Sequence, residues 1–435
     1  MSREYKINII GGGLAGSSAS LYLAKRGYIV NLFDIKGKQF TPAHHNPNYA
    51  EIVCSNSLKS LEPTTASGLL KEELQLLDSD LLKIAYDCQV PSGSALAVDR
   101  EMFAQKVTDL IKSYPNIILH TEEVSTFETD AITILATGPL TTDKMCNALS
   151  QKIGKDFFYF YDAASPIIDA STIDMNIAFV QDRYDKGNGD YLNLPMNREE
   201  YINFYTALIN AECVDLKSFE KGKYFESCMP IEVMAKRGQD TIRFGPLKPV
   251  GLCDKRTGEK PYAVVQLRKE NTSAEAYNMV GFQTNLKFGE QKRVFSMIPG
   301  LQNAEFLKYG VMHKNNFINF PTVCDQYSRL KVDNNIFIAG QLSGVEGYVE
   351  SIMSGLYCAI NTINILENKP LFVLSNNTII GGIYNYLVNA NHDNFQPINA
   401  NFGVLEPVEE RDKKKKAQIY HDRSIEEIKN KIKQI

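Results

Sequence analysis

The sequence predicts an α/β protein, a Rossmann-like dinucleotide-binding domain interrupted by an inserted α+β domain. Three observations carry this reading. A strand, a glycine turn and a helix open the chain over residues 7–23, and an apolar strand ending in an acid follows over 29–34. A further strand and glycine turn return near the C-terminus over 336–347.

Taken in order, Ile7, Ile9 and Ile10 read as a buried strand, Gly11-Gly12-Gly13 breaks it, and residues 14–23 continue with helical character. In the pattern Gly11-x-Gly13-x-x-Gly16 each glycine has a separate use. Gly11 permits the tight turn, Gly13 lets backbone N–H groups approach a pyrophosphate, and Gly16 allows close helix packing. Leu14 and Ala15, between the last two glycines, join the cofactor-binding set. Asp34, closing the second strand, is placed to accept a ribose hydroxyl.

Residues 41–67 are rich in Pro, His, Asn and Ser without periodicity, so a long irregular loop leaves the second strand, the kind of segment that often carries function. Residues 68–74 begin helical segments, and residues 99–112 form another helix with Met102, Phe103, Val107, Leu110 and Ile111 as its apolar positions. Residues 132–138 return as a buried strand ending on Gly138. Between 184 and 319 the texture turns to mixed charged and aromatic residues with Gly-Pro turns, the expected insertion. Residues 336–340 resume the first domain, followed by a turn holding Gly340, Gln341, Gly344 and Gly347 and then an apolar helix. That second turn favours FAD over NAD, because it could hold the flavin end, although an ordinary βα turn has the same glycines. The expected division is 1–183 and 320–435 for the FAD-binding domain, of the glutathione-reductase type, and 184–319 for the insertion. In the tail, Ser424-Ile425-Glu426-Glu427 reads as a capping box opening a helix, with Ile425, Ile428, Ile432 and Ile435 on one face that should dock.

At 435 residues the chain exceeds what one core usually supports, and 44% hydrophobic with 23% charged residues is ordinary for a globular protein. A net charge of −4 means that a nucleic-acid partner must meet a local basic patch. No apolar run approaches the ~20 residues that span a bilayer. With no secretion signal behind Met1, the expected location is the cytoplasm. The eight cysteines form no C-x-x-C pair and no zinc spacing, and His44-His45 has no acidic or thiol company at metal spacing, so no metal site is expected.

Free cysteine is most often buried and inert, but two of the eight lie in loops. Cys54 sits in Glu51-Ile52-Val53-Cys54-Ser55-Asn56-Ser57, and Cys228 in Phe225-Glu226-Ser227-Cys228-Met229-Pro230. Lys287, Lys292 and Arg293 with Phe282, Phe288 and Phe295 bring basic and aromatic residues together, as stacking on unpaired bases needs, although an ordinary amphipathic surface looks the same. The run Lys413 to Lys416 reads as a solvated stretch.

Across nearly the whole chain these segments resemble the TrmFO family, the folate- and FAD-dependent RNA uracil-5-methyltransferases. The stretches that carry the resemblance include IIGGGLAGSSAS, TPAHHNPNYAEIVCSNSLKS, VPSGSALAVDRE, FESCMPIEVMAKRG, GPLKPVGL, PYAVVQLRKEN, GFQTNLKFGEQKRVFSMIPGL and IAGQLSGVEGYVES. The resemblance implies that reduced FAD takes a methylene group from 5,10-methylenetetrahydrofolate and passes it to C5 of a uridine, with NAD(P)H supplying electrons. It implies catalytic roles for Cys228, as nucleophile, and Cys54, and an RNA partner that is tRNA or 23S rRNA. Two departures stand out: Asn285 and Phe288 occupy places where the family reads His and Trp, and Asp34 replaces the usual Glu. An FAD- and folate-binding RNA module without methyl transfer, or another flavin-dependent tRNA uridine-modifying enzyme, is the competing reading. The cysteine-bearing segments disfavour both.

Overall fold

The computed structural model describes residues 6–41, 43–154, 158–185, 189–214, 229–254, 257–271 and 273–433. Its first sheet has the strand order Arg329–Leu330, Asp333–Ile338, Ala131–Leu135, Lys6–Ile10, Val30–Asp34, Ile117–Thr121. All pairings are parallel except the one between the first two. Lys6–Ile10 lies between Val30–Asp34 and Ala131–Leu135, so the chain leaves it toward opposite sides, and a crevice opens at the carboxyl ends of these strands.

Helix Leu14–Lys25 is buried along all but its last residue, as expected of a helix covered on one face by the sheet and on the other by another helix. That other helix is Tyr348–Leu366, with a hydrophobic run from Ile352 to Ile360 that is buried throughout. The two cross so closely that a Cβ built on Gly355 would stand 2.0 Å from the Ala15 carbonyl oxygen. Helix Arg100–Ser113 begins where expected, on Asp99, whose carboxylate accepts from the Glu101 and Met102 N–H groups.

The second sheet is antiparallel, in the order Phe179–Val180, Tyr191–Met196, Ala263–Lys269, Ala276–Met279, Ile167–Asp169, Phe306–Lys308. Helix Arg198–Ile209 lays Tyr201, Phe204 and Leu208 into a core of its own with Leu194, Leu267 and Phe295. The two passages between the sheets, Phe158–Ala163 and Met312–Phe317, pair with each other as an antiparallel ribbon. On this strand membership we propose that the insertion runs from about Ala164 to Val311, earlier at both ends than the 184–319 read from composition.

The C-terminal helix differs from its expected start. It spans Lys413–Ile432, capped by Asp412, so the lysine run forms its first turn and Ser424 lies mid-helix. The Ser-x-x-Glu pattern is real but serves a tertiary contact. Ser424 Oγ donates to Glu73 Oε1 at 2.6 Å, and the same carboxylate accepts the Ile379 and Ile380 N–H groups at 2.6 and 3.0 Å. Burial pushes Glu73 up to about 7, against three donors that favour its ionised form. Ile425 and Ile428 dock into the main core as expected, while Ile435 lies outside the described residues.

Two outcomes follow from this packing. Gly355→Val forces the two helices apart and should cost about 1–3 kcal/mol or more, read as a lowered urea midpoint together with loss of flavin uptake. His421 lies between Glu72 (2.8 Å) and Asp422 (2.9 Å). Burial opposes its charge, but the two carboxylates outweigh burial and raise its pKa. A raised folded value stabilises fully below the ordinary histidine range and is lost as pH rises through it. The His421 contribution should therefore be lost as pH rises through its raised pKa, and His421→Gln should flatten that part of the pH dependence of the urea midpoint.

Candidate active site

The carboxyl ends of the parallel strands open into a cavity of about 1170 Å³, counting its mouth, lined by Gly11, Gly13, Leu14, Ala15, Asp34, Gly138, Gly340 and Gln341. Eight of the residues expected to hold a cofactor, from four separated stretches of sequence, thus meet on one surface. Gly11 sits at φ +105°, and a Cβ there would meet the Ala136 carbonyl oxygen at 2.4 Å, so the turn can approach the neighbouring strand only as glycine. Gly16 lies beneath the turn, against the Gly11 carbonyl, outside the cavity lining. Gly344 also faces away, toward Phe395, while Gly347 lines an adjoining cavity.

The first cavity has the features a pyrophosphate needs. Helix Leu14–Lys25 starts there with no side chain capping its N-terminus, and the space where a Gly13 Cβ would stand is open. Asp34 ends its strand at the rim, but it does more than wait for a ribose. Its Oδ2 accepts the Gly12 N–H at 2.6 Å and its Oδ1 accepts the Lys36 N–H at 2.7 Å, which fixes the glycine turn against the second strand. Lys36 pairs with Glu51 at 2.9 Å on the same wall. Burial works against Glu51 ionising, but the Lys36 ammonium and the His45 N–H outweigh it and hold the carboxyl below the usual range. His44 lines this cavity too, with Nδ1 2.5 Å from Thr41 Oγ1.

A second cavity of similar size shares Val53, Pro139, Leu140, Gln341, Tyr348 and Ser351 with the first, so the two form one continuous cleft. Cys54, Ser55, Lys59, Gln283, Glu346 and Glu350 line this inner part. Cys54 is partly buried and outside any disulfide, and its backbone N–H donates to the Tyr348 hydroxyl at 2.8 Å. Glu350, only 1% exposed, accepts from Lys59 Nζ at 3.1 Å and from the Ala400 N–H at 3.0 Å. Beside it Lys71 is buried among the Ser60 and Ser67 oxygens, and burial pulls its pKa down to about 7. Tyr348, Glu346 and Glu350 were not singled out from the sequence. Their signal is the return turn itself, Gly344-Val345-Glu346-Gly347-Tyr348, with Glu346 and Tyr348 flanking its last glycine and Glu350 in the first turn of the helix that follows.

Cys228 lies outside the described residues. Downstream of it, Glu232 is buried and accepts from the Asn285 N–H at 2.8 Å and the Thr284 hydroxyl at 2.9 Å, with burial raising its pKa. Asn285 in turn donates its amide to the Val214 carbonyl at 3.1 Å, a use open to a short side chain. Of the three phenylalanines read as a stacking set, Phe282 and Phe295 belong to the second core, and only Phe288 reaches the surface, 54% exposed and stacked on Tyr309 at 5.1 Å. Lys287 and Arg293 are paired with Glu212 and Glu290.

Residues 6–370 match the glucose inhibited division protein A family. The methylenetetrahydrofolate–tRNA-(uracil-5-)-methyltransferase TrmFO of Fusobacterium nucleatum is 52% identical over 432 residues, covering 99% of both chains. The protein of the same name from Halalkalibacterium halodurans is 50% identical over 431 residues, again with 99% of both covered. Among solved structures, GidA of Aquifex aeolicus superposes with a TM-score of 0.72 over 98% of this chain and 72% of that one, at 14% identity, a likeness of fold. By sequence identity over its full length and by family match, the chain belongs to the TrmFO family within the glucose inhibited division protein A proteins.

Proposed function

We propose that this protein methylates C5 of a uridine in tRNA, drawing the carbon from 5,10-methylenetetrahydrofolate with FAD seated in the glycine-lined cavity. The observation that carries the reading is the shared cleft: Cys54 stands in the inner cavity, continuous with the one that fits a dinucleotide. The relatives' name supplies the substrates, folate and tRNA, and favours tRNA over 23S rRNA. FAD, bound in the glycine-lined cavity, would supply the redox chemistry that brings the folate-derived one-carbon unit to the level of a methyl group.

The chain's own residues do the rest. The uncapped helix N-terminus and open Gly13 receive the pyrophosphate, and Asp34 takes the ribose while holding the turn. Uracil C5 is a poor nucleophile until a thiolate adds at C6, which makes C5 an enolate carbon able to attack. Loss of the C5 proton and expulsion of the thiolate then restore the ring. Cys228, by its motif, is the nucleophile, and Cys54 is the second thiol, serving proton removal from C5. NAD(P)H is the electron source and the cytoplasm the setting. Among the described residues no helix is long and apolar enough to cross a membrane.

Three measurements check this. The purified protein should be yellow, and Asp34→Ala should weaken flavin retention about tenfold or more, since a charge-assisted hydrogen bond is worth roughly 1.5–3 kcal/mol. Cys54→Ala should keep the flavin spectrum yet lower tRNA methylation about 100-fold or more. Nucleoside mass spectrometry of tRNA and rRNA from a deletion strain should show loss of a 5-methyluridine from tRNA; unchanged tRNA would contradict the assignment.

A further inference from the structure

Neither sheet holds the Cys54 loop alone. From the first unit, Arg100 at the start of its helix donates through Nη2 to the Cys54 carbonyl at 2.8 Å and to Glu270 Oε1 at 2.9 Å. Glu270 follows the last residue of the Ala263–Lys269 strand, so this arginine already bridges to the second sheet. From that sheet, Arg268 reaches back: Nη2 donates to Ser55 Oγ at 2.6 Å and Nε to Asn56 Oδ1 at 2.8 Å. Asn56 is fully buried and completes the seam, its amide donating to the Val98 carbonyl at 3.2 Å on one side and the Lys269 carbonyl at 3.0 Å on the other.

Arg268 is only 6% exposed, and burial lowers its pKa from the ordinary arginine value. Desolvating a guanidinium is expensive, and an apolar side chain of similar volume can hold a passive contact at least as well. What a guanidinium offers instead is a planar fork that fixes two acceptors relative to each other. Here those acceptors are the two side chains that follow Cys54 directly.

We infer that Arg268 is a positioning residue: by locking Ser55 and Asn56 it sets the direction in which the Cys54 thiol enters the inner cavity, and makes that direction depend on the second sheet. The inference rests on the reading of Cys54 as a reactive thiol. Among the described residues, ionisable groups around the loop include Arg100, Arg268, Lys308, Glu51, Glu270 and Tyr191, together with Lys59, Glu346, Tyr348 and Glu350, which line the cavity that Cys54 enters. Burial and Arg100 lower the Lys308 pKa, while Glu51, Cys54 and Glu270 raise it, which places Lys308 within electrostatic reach of the thiol.

The test uses flavin-loaded, full-length protein alkylated with iodoacetamide from about pH 6 to 9, with the rate at Cys54 followed by peptide mass spectrometry and the partly buried Cys253 as internal reference. Arg268→Gln should change the Cys54 rate about fivefold or more and move its pH midpoint, with Cys253 unaltered and flavin absorbance retained. Arg268→Lys should fail to restore it, because one ammonium cannot reproduce the fork. Ser55→Ala removes a single contact, leaves the arginine in place, and should shift the rate in the same direction by a smaller factor; it decides the matter if Arg268→Gln does not fold. Cys54 profiles unmoved in both Arg268→Gln and Ser55→Ala would overturn the inference. Alkylation is read without turnover, so a protein that shows these shifts yet never methylates tRNA would support the positioning role and sink the proposed function.

Discussion

The site depends on one close contact between backbones. Helices Leu14–Lys25 and Tyr348–Leu366 cross at Gly355 and Ala15, where a single added carbon would collide with a carbonyl. Each helix follows one of the two glycine turns. Pressing the helices together therefore brings Gly13 and Gly340, more than three hundred residues apart, onto one cavity wall. A looser crossing would leave two separate turns and no continuous cleft.

Several buried charges join segments that lie far apart in the chain. Glu73 ties a helix of the first unit to the N-terminus of Ile379–Asn389 and to the C-terminal helix. Glu350 ties the return turn to Lys59 and the chain at Ala400. Arg268 and Arg100 tie the Cys54 loop to both sheets. Charges in such places contribute less to net stability than to fixing one relative arrangement, because removing one partner leaves the other desolvated. Of these, Glu350 lines the inner cavity, and Arg268 and Arg100 hold the loop that carries Cys54 into it.

Local pattern misled where a residue's partner was distant. Ser424 satisfies the capping-box spacing, but its hydroxyl is spent on Glu73, 351 residues away, and the helix had already begun at Lys413. The earlier start proposed for the insertion has a like basis: the short strand Ile167–Asp169 carries no distinctive charge or aromatic content, and its pairing with Ala276–Met279 and Phe306–Lys308 makes it part of the second sheet. The aromatic set split for a similar reason: Phe282, Phe288 and Phe295 are alike in sequence, and burial alone separates two core rings from one at the surface.

The sequence by itself determined the first strand, its glycine turn and helix, the acid of the second strand, the returning strand and turn, and through its ordered motifs the family. These rest on short-range rules: the conformations glycine permits and the spacing of apolar residues along one element. Only the tertiary structure decided that Cys54 opens into a cavity joined to the glycine turns, that Asp34 also pins Gly12, that Gly344 turns from the cleft, and that two arginines grip the cysteine loop. Each of these is a contact between residues far apart in the chain, and its energy depends on distances that no local pattern encodes.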